Sequence, residues 1–179
     1  DDIGIRDFAT IHQGGDYIQD LTSFTQTSPA PSKSKECSER SCIVLQGRKS
    51  PLVALTPWTD PTDCWAFQGS YGHLGITLSS NIIVTHVTID HVVPILALNT
   101  RSAPRNLKLW TILRDPFHQE RYTRSSPCSE NIQTFEVPKE LVQLGIGVSS
   151  VVLEINSNWG NPRSTCLYRV RVHSEHTGL

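Results

Sequence analysis

The chain has 179 residues, of which 37% are hydrophobic and 18% charged; this composition excludes intrinsic disorder and suits one domain with a sizeable core. The net charge is −1 at pH 7 and no basic patch dominates, so we expect no nucleic-acid binding by this domain. The longest apolar run, residues 91–99, contains Pro94 and is too short to cross a membrane. The acidic N-terminus lacks a signal-peptide hydrophobic region, so targeting and anchoring segments are expected outside this chain.

The first zone, residues 1–23, begins with a polar segment. Asp7 is placed to cap a short helical turn around DFATIH (7–12), and Gly14 and Gly15 are placed to end it. The segment DYIQDLTSF (16–24) that follows is predicted to enter the first strand.

The second zone, residues 24–51, is rich in Ser, Pro and Lys, which predicts an exposed loop with a short strand at CIVLQG (42–47). A loop of this length inside a compact domain is usually functional or disordered, so it is the first candidate for a moving part. Cys37 and Cys42 lie in it, and they either bond to each other or stay free.

The third zone, residues 52–179, is a succession of short strand patterns, with one short helix predicted between Pro138 and Gly145. Strands without long intervening helices predict an antiparallel β-sandwich or jelly roll. The strand patterns are HLGITL, NIIVTHVTIDHVV, LKLWTILR, IQTFEV, SSVVLEIN and CLYRVRVH.

The last pattern alternates cleanly between two faces of a strand. Cys166, Tyr168, Val170 and Val172 share one face, and Arg169, Arg171 and His173 share the other. The arginine face is expected either to be solvated or to meet a neighbouring protomer. His173 and His176 form the only close histidine pair, which is more typical of a solvated tail than of a metal site.

Catalytic signatures are missing from the sequence. It contains no HExxH, GxSxG, P-loop or GxGxxG pattern. Asp90 and His91 are adjacent on a predicted strand, so their side chains point to opposite faces and cannot form a dyad. A binding module is therefore a better prediction than an enzyme.

Two dense segments suggest more than packing. The first is TPWTDPTDCWAFQGSYG (56–72), which is either a loop that exposes carbonyl groups around a cation or a merely rigid turn. The second is SNWGNPRSTCLYRVRVH (157–173), in which a turn precedes a strand. Cys64 and Cys166 each precede a strand start and either bond to each other or stay as buried thiols, while Cys128 is expected to be left over. Trp65 and Trp159 are predicted core anchors.

These segments resemble a SUN domain, the C-terminal module of inner-nuclear-membrane proteins. The similarity is carried by CWAFQGSYGHLGITLS (64–79), TIDHV (88–92), SAP (102–104) and the final 157–173 segment, and it extends over nearly the whole chain apart from 24–51. The resemblance implies one SUN domain over 1–179, in which 1–23 is the entry, 24–51 a lid and 52–179 a galactose-binding-like jelly-roll core.

The resemblance also implies a function. SUN domains form homotrimers below a coiled coil in the perinuclear space, within proteins anchored in the inner nuclear membrane. They bind the C-terminal tail of KASH proteins, which adds as a strand between lid and core and links the cytoskeleton to the nuclear interior. Two other classes stay open, a glycan-binding jelly roll and an oligomerisation scaffold without a peptide ligand.

Particular residues follow from the same resemblance. The resemblance implies that the peptide is bound by His91, Ser102, Ser164 and Tyr168. It implies a potassium loop formed by main-chain carbonyls of Val53, Thr56, Trp58, Asp63 and Tyr168. It also implies a disulfide between Cys64 and Cys166. Thr22 stands where animal members often carry a cysteine that bonds to the KASH chain, so we expect no intermolecular disulfide there. Ser164 stands where the family usually has a tyrosine.

Overall fold

The computed structural model describes residues 4–26, 49–57, 60, 62–93, 99–112 and 132–175, together with the backbone of 124–125. Within these ranges the chain forms antiparallel strands joined by turns and 3-10 helices. The strands are β1 (Asp16–Ile18), β2 (Trp65–Gln68), β3 (Gly72–Ile82), β4 (His86–Asp90), β5 (Pro104–Thr111), β6 (Arg124–Ser125), β7 (Ile132–Glu136), β8 (Val148–Asn158), β9 (Ser164–Leu167) and β10 (Arg169–His173). The helical elements are α1 (Lys139–Val142) and 3-10 helices at Ile11–Gln13, Gln19–Leu21, Pro51–Leu55 and Thr100–Ser102.

The strands pair into three antiparallel sheets. Five strands follow the order β1-β3-β8-β5-β6, three follow β10-β4-β7, and β2 pairs with β9. The predicted all-β, antiparallel class is therefore confirmed. The short helix predicted after Pro138 is confirmed as α1, and Gly145 beyond its end has a positive φ of 65°.

The core lies between the sheets and is built from alternate residues of the long strands. Apolar side chains of β3 and β8 and the aromatic pair of β2 are at most 2% exposed: Leu74, Ile76, Val151, Leu153, Ile155, Trp65 and Phe67. A Cβ atom at Gly72 would come within 2.5 Å of the Phe67 ring, so this strand start has no room for a side chain. The prediction that Trp65 is a core anchor is therefore confirmed.

The N-terminal segment differs from its prediction. The helical turn begins at Ile11 instead of Asp7, and Gly14 ends it with a φ of 97° as expected. The carboxylate of Asp7 accepts hydrogen bonds from the backbone nitrogens of Ala9 (3.0 Å) and Val172 (3.2 Å). Asp7 therefore ties the start of the domain to the last strand.

Strand β10 is buried on both faces, which corrects the expectation of a solvated or intermolecular arginine face. All five residues from Arg169 to His173 are buried. The N-terminal segment covers the strand, since the amide of Phe8 donates to the Val172 carbonyl at 2.8 Å. The two arginines tolerate this burial because two aspartates are buried with them.

We call these four side chains the buried ion network: Asp7, Asp90, Arg169 and Arg171. Arg171 Nη2 lies 2.6 Å from Asp90 Oδ1, and Arg169 Nη2 lies 3.4 Å from Asp7 Oδ2. Arg169 Nη1 also lies 3.7 Å from the second oxygen of Asp90. None of the four side chains is more than 8% exposed, so each charge depends on its partners for the stabilisation that water would otherwise give.

His173 is fully buried, which corrects its prediction as part of a solvated tail; His176 lies outside the described residues. Its Nδ1 is 2.9 Å from the Arg6 carbonyl, so Nδ1 carries the proton. Nε2, 2.9 Å from the Thr88 hydroxyl, then accepts from that hydroxyl. Burial is the largest cause that lowers the pKa of His173 below its ordinary 6.5, although the Arg6 carbonyl and the Asp7 charge oppose it.

We therefore expect stability to depend on the protonation of His173. Because the folded-state pKa is the lower one, the unfolded chain takes up the proton first, and the free energy of unfolding falls as the pH drops below about 6.5. Urea unfolding between pH 7.5 and 5.5 should show this loss, and His173→Gln should reduce it. Part of the loss should remain, because burial lowers the pKa of His91 as well. His12→Gln, at an exposed position, is the control; an unchanged slope in His173→Gln would contradict the assignment.

Candidate functional site

A disulfide joins Cys64 and Cys166 at the ends of the two-stranded β2–β9 sheet. The Cα atoms are 5.6 Å apart, and the predicted pairing is confirmed. Together with Val92 and Tyr168 the two cysteines form a small buried cluster, separate from the main core, on which Ala66 packs. The disulfide thus holds the strand ends beside Tyr168.

His91 follows the last residue of β4 and reaches this cluster. Its ring lies edge-on to the ring of Tyr168, with centroids 4.6 Å apart. Nδ1 is 2.9 Å from the Val92 carbonyl and so carries the proton, while the buried Nε2 has no hydrogen-bond partner among the described residues. Burial lowers the pKa of His91, against the opposing effect of that carbonyl, so Nε2 is a free acceptor at neutral pH.

Tyr168 lies between β9 and β10 and is 4% exposed. Burial raises the pKa of its hydroxyl, and the negative charge of Asp60 raises it further. Asp60 itself stays ionised, because hydrogen bonds from the Thr62 hydroxyl (2.6 Å) and amide (2.7 Å) lower its pKa. Asp60 was not among the predicted site residues, although the Asp-Pro-Thr sequence is a turn pattern that could have indicated an ordered carboxylate there.

The two serines lie on neighbouring elements. Ser102 ends the Thr100–Ser102 helix, which packs against β9, and Ser164 begins β9. The Ser102 hydroxyl is buried and donates to the Asn99 carbonyl at 2.7 Å. Strand β9 thus begins at Ser164, beside the Thr100–Ser102 helix, and is followed by Tyr168, whose ring contacts His91.

The turn before β9 is built around Asn158. Its side-chain oxygen accepts hydrogen bonds from the amides of Gly160 (2.9 Å) and Asn161 (3.1 Å), and Gly160 has a φ of 105°. This confirms the predicted turn. Trp159 is half-exposed, which corrects its prediction as a core anchor. The guanidinium of Arg105 is stacked on its ring, with Cζ 4.7 Å from the ring centroid.

The predicted cation loop is partly described. The Val53 carbonyl accepts hydrogen bonds from both the amide (3.3 Å) and the hydroxyl (2.7 Å) of Thr56. The Asp63 carboxylate lies 2.6 Å from Lys49 Nζ. Trp58 lies outside the described residues. A cation held by the Val53 carbonyl would thus have to displace a hydrogen bond within the turn.

Arg169 connects this loop to the buried ion network. Its Nη1 donates a hydrogen bond to the Pro57 carbonyl, while the same guanidinium faces Asp7 and Asp90. Arg169 was predicted on a solvated or intermolecular face, and its strand pattern does not indicate this role. Its position depends on Asp7, Pro57 and Asp90, which meet it from other parts of the chain.

Clusters of metal-binding side chains and membrane-spanning helices do not occur in the described ranges. Among these residues no group of three His, Cys, Asp or Glu side chains could hold a metal ion. None of the helices in the same ranges has the length and apolarity needed to span a membrane. Cys37, Cys42, Cys128 and most of the predicted lid lie outside the described residues, so their pairing and the lid hairpin stay predictions.

The fold is similar to that of several solved structures. A family 32 carbohydrate-binding module from Streptococcus pneumoniae EndoD matches with a TM-score of 0.62 and 12% identity over 95% of this chain and all of that one. Allantoicase from Saccharomyces cerevisiae matches with a TM-score of 0.60 and 16% identity over 94% of this chain and 42% of that one. At such low identity these matches show the galactose-binding-like jelly-roll fold alone, which confirms the predicted architecture.

Sequence comparison gives the family. The profile of the Sad1/UNC-like C-terminal family matches residues 45–176. SUN domain-containing protein 3 of Mus musculus is 37% identical over 69% of this chain and 39% of its own length. The Klaroid protein of Drosophila melanogaster and human SUN domain-containing protein 1 are each 32% identical over 98% of this chain, which spans 18% and 22% of their lengths. The chain belongs to the SUN-domain family.

Proposed function

We propose that this domain is a nuclear-envelope tethering module without enzymatic activity. It binds the C-terminal tail of a KASH protein in the perinuclear space and so links the cytoskeleton to the nuclear interior. Family membership supports this proposal, as do the contact between the rings of His91 and Tyr168 and the packing of the Thr100–Ser102 helix against β9.

The observation that carries the proposal is the imidazole of His91. Its Nε2 is buried and has no hydrogen-bond partner among the described residues, in edge contact with Tyr168 and beside the disulfide cluster. A buried polar atom without a partner is destabilising, by about 1–3 kcal/mol in typical proteins, so it is a place where a ligand group is favoured. We therefore assign His91 to the ligand side of this cluster.

We place the start of the bound strand beside the Thr25–Gln26 segment, which itself pairs with β2. Thr25 forms an isolated bridge with Phe67, and the amide of Gln26 donates to the Ala66 carbonyl at 2.8 Å. The chain that leads into the predicted lid thus already hydrogen-bonds to the sandwich by strand pairing. A peptide added beside it would gain its affinity from main-chain hydrogen bonds and its selectivity from side-chain pockets.

The direct test uses three forms of one synthetic KASH C-terminal peptide of roughly 20 residues, long enough to add as a strand. We expect the free-carboxylate form to bind and the amidated and one-residue-extended forms to bind at least about tenfold more weakly, since the Tyr168 hydroxyl would lose a charge-assisted hydrogen bond to the terminal carboxylate. Nε2 of His91 would accept from an N–H or O–H group of the peptide. His91→Ala with Ser102→Ala should weaken binding of the first form without removing the thermal transition. Calorimetry measures the first effect and circular dichroism the second.

Four results would count against this proposal. Equal binding of all three peptides would exclude a carboxylate pocket. Loss of the thermal transition in the double variant would make His91 and Ser102 core residues. Retention of the domain on a glycan array with no peptide binding would favour the glycan-binding alternative, and no ligand of either kind would favour a scaffold.

We also propose that the full-length protein is membrane-anchored and that this domain forms a homotrimer below an upstream coiled coil. The support is family membership, since this chain spans 18–39% of the lengths of the relatives described above. Light scattering of the domain with and without its upstream segment tests the proposal. A monomer in both cases would contradict it.

We also propose that a potassium ion binds in the 53–63 loop. Asp60 supplies a negative charge near Tyr168, which supports cation binding, but the Val53 carbonyl must give up a bond from Thr56. We expect potassium chloride to raise the melting temperature above that in tetramethylammonium chloride at equal ionic strength, by mass action on the folded state. Asp60→Asn should reduce the difference; identical melting in both salts would contradict a potassium site.

A further inference from the structure

Three exposed arginines lie at one end of the sandwich on two segments that hydrogen-bond to each other. Arg101 and Arg105 lie on residues 99–106, and Arg163 lies on residues 157–164. The amide of Trp159 donates to the Ala103 carbonyl and that of Asn161 to the Arg101 carbonyl, both at 3.2 Å. We call the surface formed by Arg101, Arg105, Trp159 and Arg163 the arginine patch.

The patch concentrates positive charge in a chain that has no excess of it. The net charge of the chain is −1, yet neither 99–106 nor 157–164 contains an aspartate or a glutamate. The ion pairs among the described residues involve other side chains, and Arg101, Arg105 and Arg163 take part in none of them. Three cationic groups without local carboxylates create a positive potential that attracts an anionic partner.

The backbone beneath the patch is already ordered. The Arg163 amide donates to the Asn161 side chain at 3.0 Å, and the Arg163 carbonyl accepts from the Gly69 amide at 2.9 Å. The Arg105 guanidinium is stacked on the half-exposed ring of Trp159. A surface held in place before binding loses less conformational entropy when a ligand arrives.

The patch adjoins the proposed peptide site along the chain. Arg101 directly precedes Ser102, and Arg163 directly precedes Ser164, at the two elements that pack against each other. Guanidinium groups bind carboxylates through paired hydrogen bonds. We infer that the arginine patch recognises acidic side chains of the bound partner, so that the partner of this domain carries Asp or Glu near its C-terminus. This inference rests on the proposed function and adds the charge class of the ligand to it.

The test is a selection of peptides displayed with free C-termini and randomised over roughly the last 12 residues, a length that strand addition can use. We expect Asp and Glu to be enriched on the unmodified domain and not on Arg101→Gln/Arg163→Gln. A selected acidic peptide should lose about two- to fivefold in affinity per arginine removed, as exposed ion pairs do. Its Glu→Gln version should bind both proteins equally, and rising salt should weaken the acidic peptide alone.

The matched control is Arg6→Gln/Lys139→Gln, which removes the same charge at exposed positions outside the patch. It should keep the preference for acidic peptides. Peptides that need a free carboxylate but show no acidic preference would overturn the patch and leave the proposed function standing. Acidic peptides that bind through the arginines without needing a free carboxylate would support the patch and overturn the carboxylate pocket. Binding to anionic vesicles with no acidic preference among peptides would overturn the patch as a peptide site.

Discussion

Asp90→Asn is expected to lower the free energy of unfolding by about 3–5 kcal/mol, the usual effect of removing one partner of a buried ion pair. Asp90 faces both Arg171 at 2.6 Å and Arg169 at 3.7 Å, and the substitution keeps its shape while it removes the charge. Arg171 would then lose the charge of its 2.6 Å partner, and Arg169 would lose the charge of one of the two carboxylates that it faces. For a chain of this size the melting temperature should fall by roughly 6–20 °C.

A double-mutant cycle separates the charge effect from packing. Arg171→Gln combined with Asp90→Asn should destabilise the domain by less than the sum of the two single changes, since the double variant leaves fewer buried charges without a partner. Glu140→Gln, at an exposed position on α1, is the control and should change stability by less than about 0.5 kcal/mol. Strict additivity of the pair would show that Asp90 and Arg171 are not coupled.

Removing the disulfide with Cys64→Ala/Cys166→Ala should lower the free energy of unfolding by about 4–5 kcal/mol. This is the contribution that the chain-entropy model gives to a bond that closes a loop of this length in the unfolded chain. The two cysteines are 102 residues apart in sequence, so the bond restricts a large part of the unfolded chain. The double variant avoids the reactive thiol that a single substitution would leave. Urea unfolding without reductant measures the difference.

Because other cysteines could also form disulfides, the unfolding experiment is repeated with reductant. Adding reductant should bring the unmodified domain to the stability of the double variant, while the double variant itself should not change further. A further loss in the double variant would show a second stabilising disulfide among Cys37, Cys42 and Cys128. No difference between the unmodified domain and the double variant would contradict the stabilising role of the 64–166 bond.

Arg169 joins the two parts of the molecule that these predictions address. Its guanidinium contacts the Pro57 carbonyl in the loop beside Tyr168 and also the carboxylates of Asp7 and Asp90. Asp90 in turn directly precedes His91. The buried ion network therefore stabilises the fold and positions the loop and the histidine at the candidate site.

The sequence alone determined the strands, the disulfide and the family. Alternating β-branched and aromatic residues are local signals, because a strand repeats its faces every two residues wherever it lies. This holds for β3 and β8, but two predicted runs are divided in the structure. The run 81–93 is interrupted after Ile82 and resumes at His86, and the run 166–173 breaks at Tyr168 into β9 and β10, which belong to different sheets. The motifs around Cys64 and Cys166 indicated their pairing through family resemblance, which the structure confirms.

Tertiary structure alone decided which faces are covered. The period of β10 separates Arg169 and Arg171 from Val170 and Val172, but it does not show that both faces are buried. That depends on Asp7 and Phe8, more than 160 residues earlier, which pack and hydrogen-bond along the last strand. A charged side chain is tolerated in the interior only when an oppositely charged side chain lies beside it. Contacts of this kind between distant segments leave no periodic pattern in the sequence.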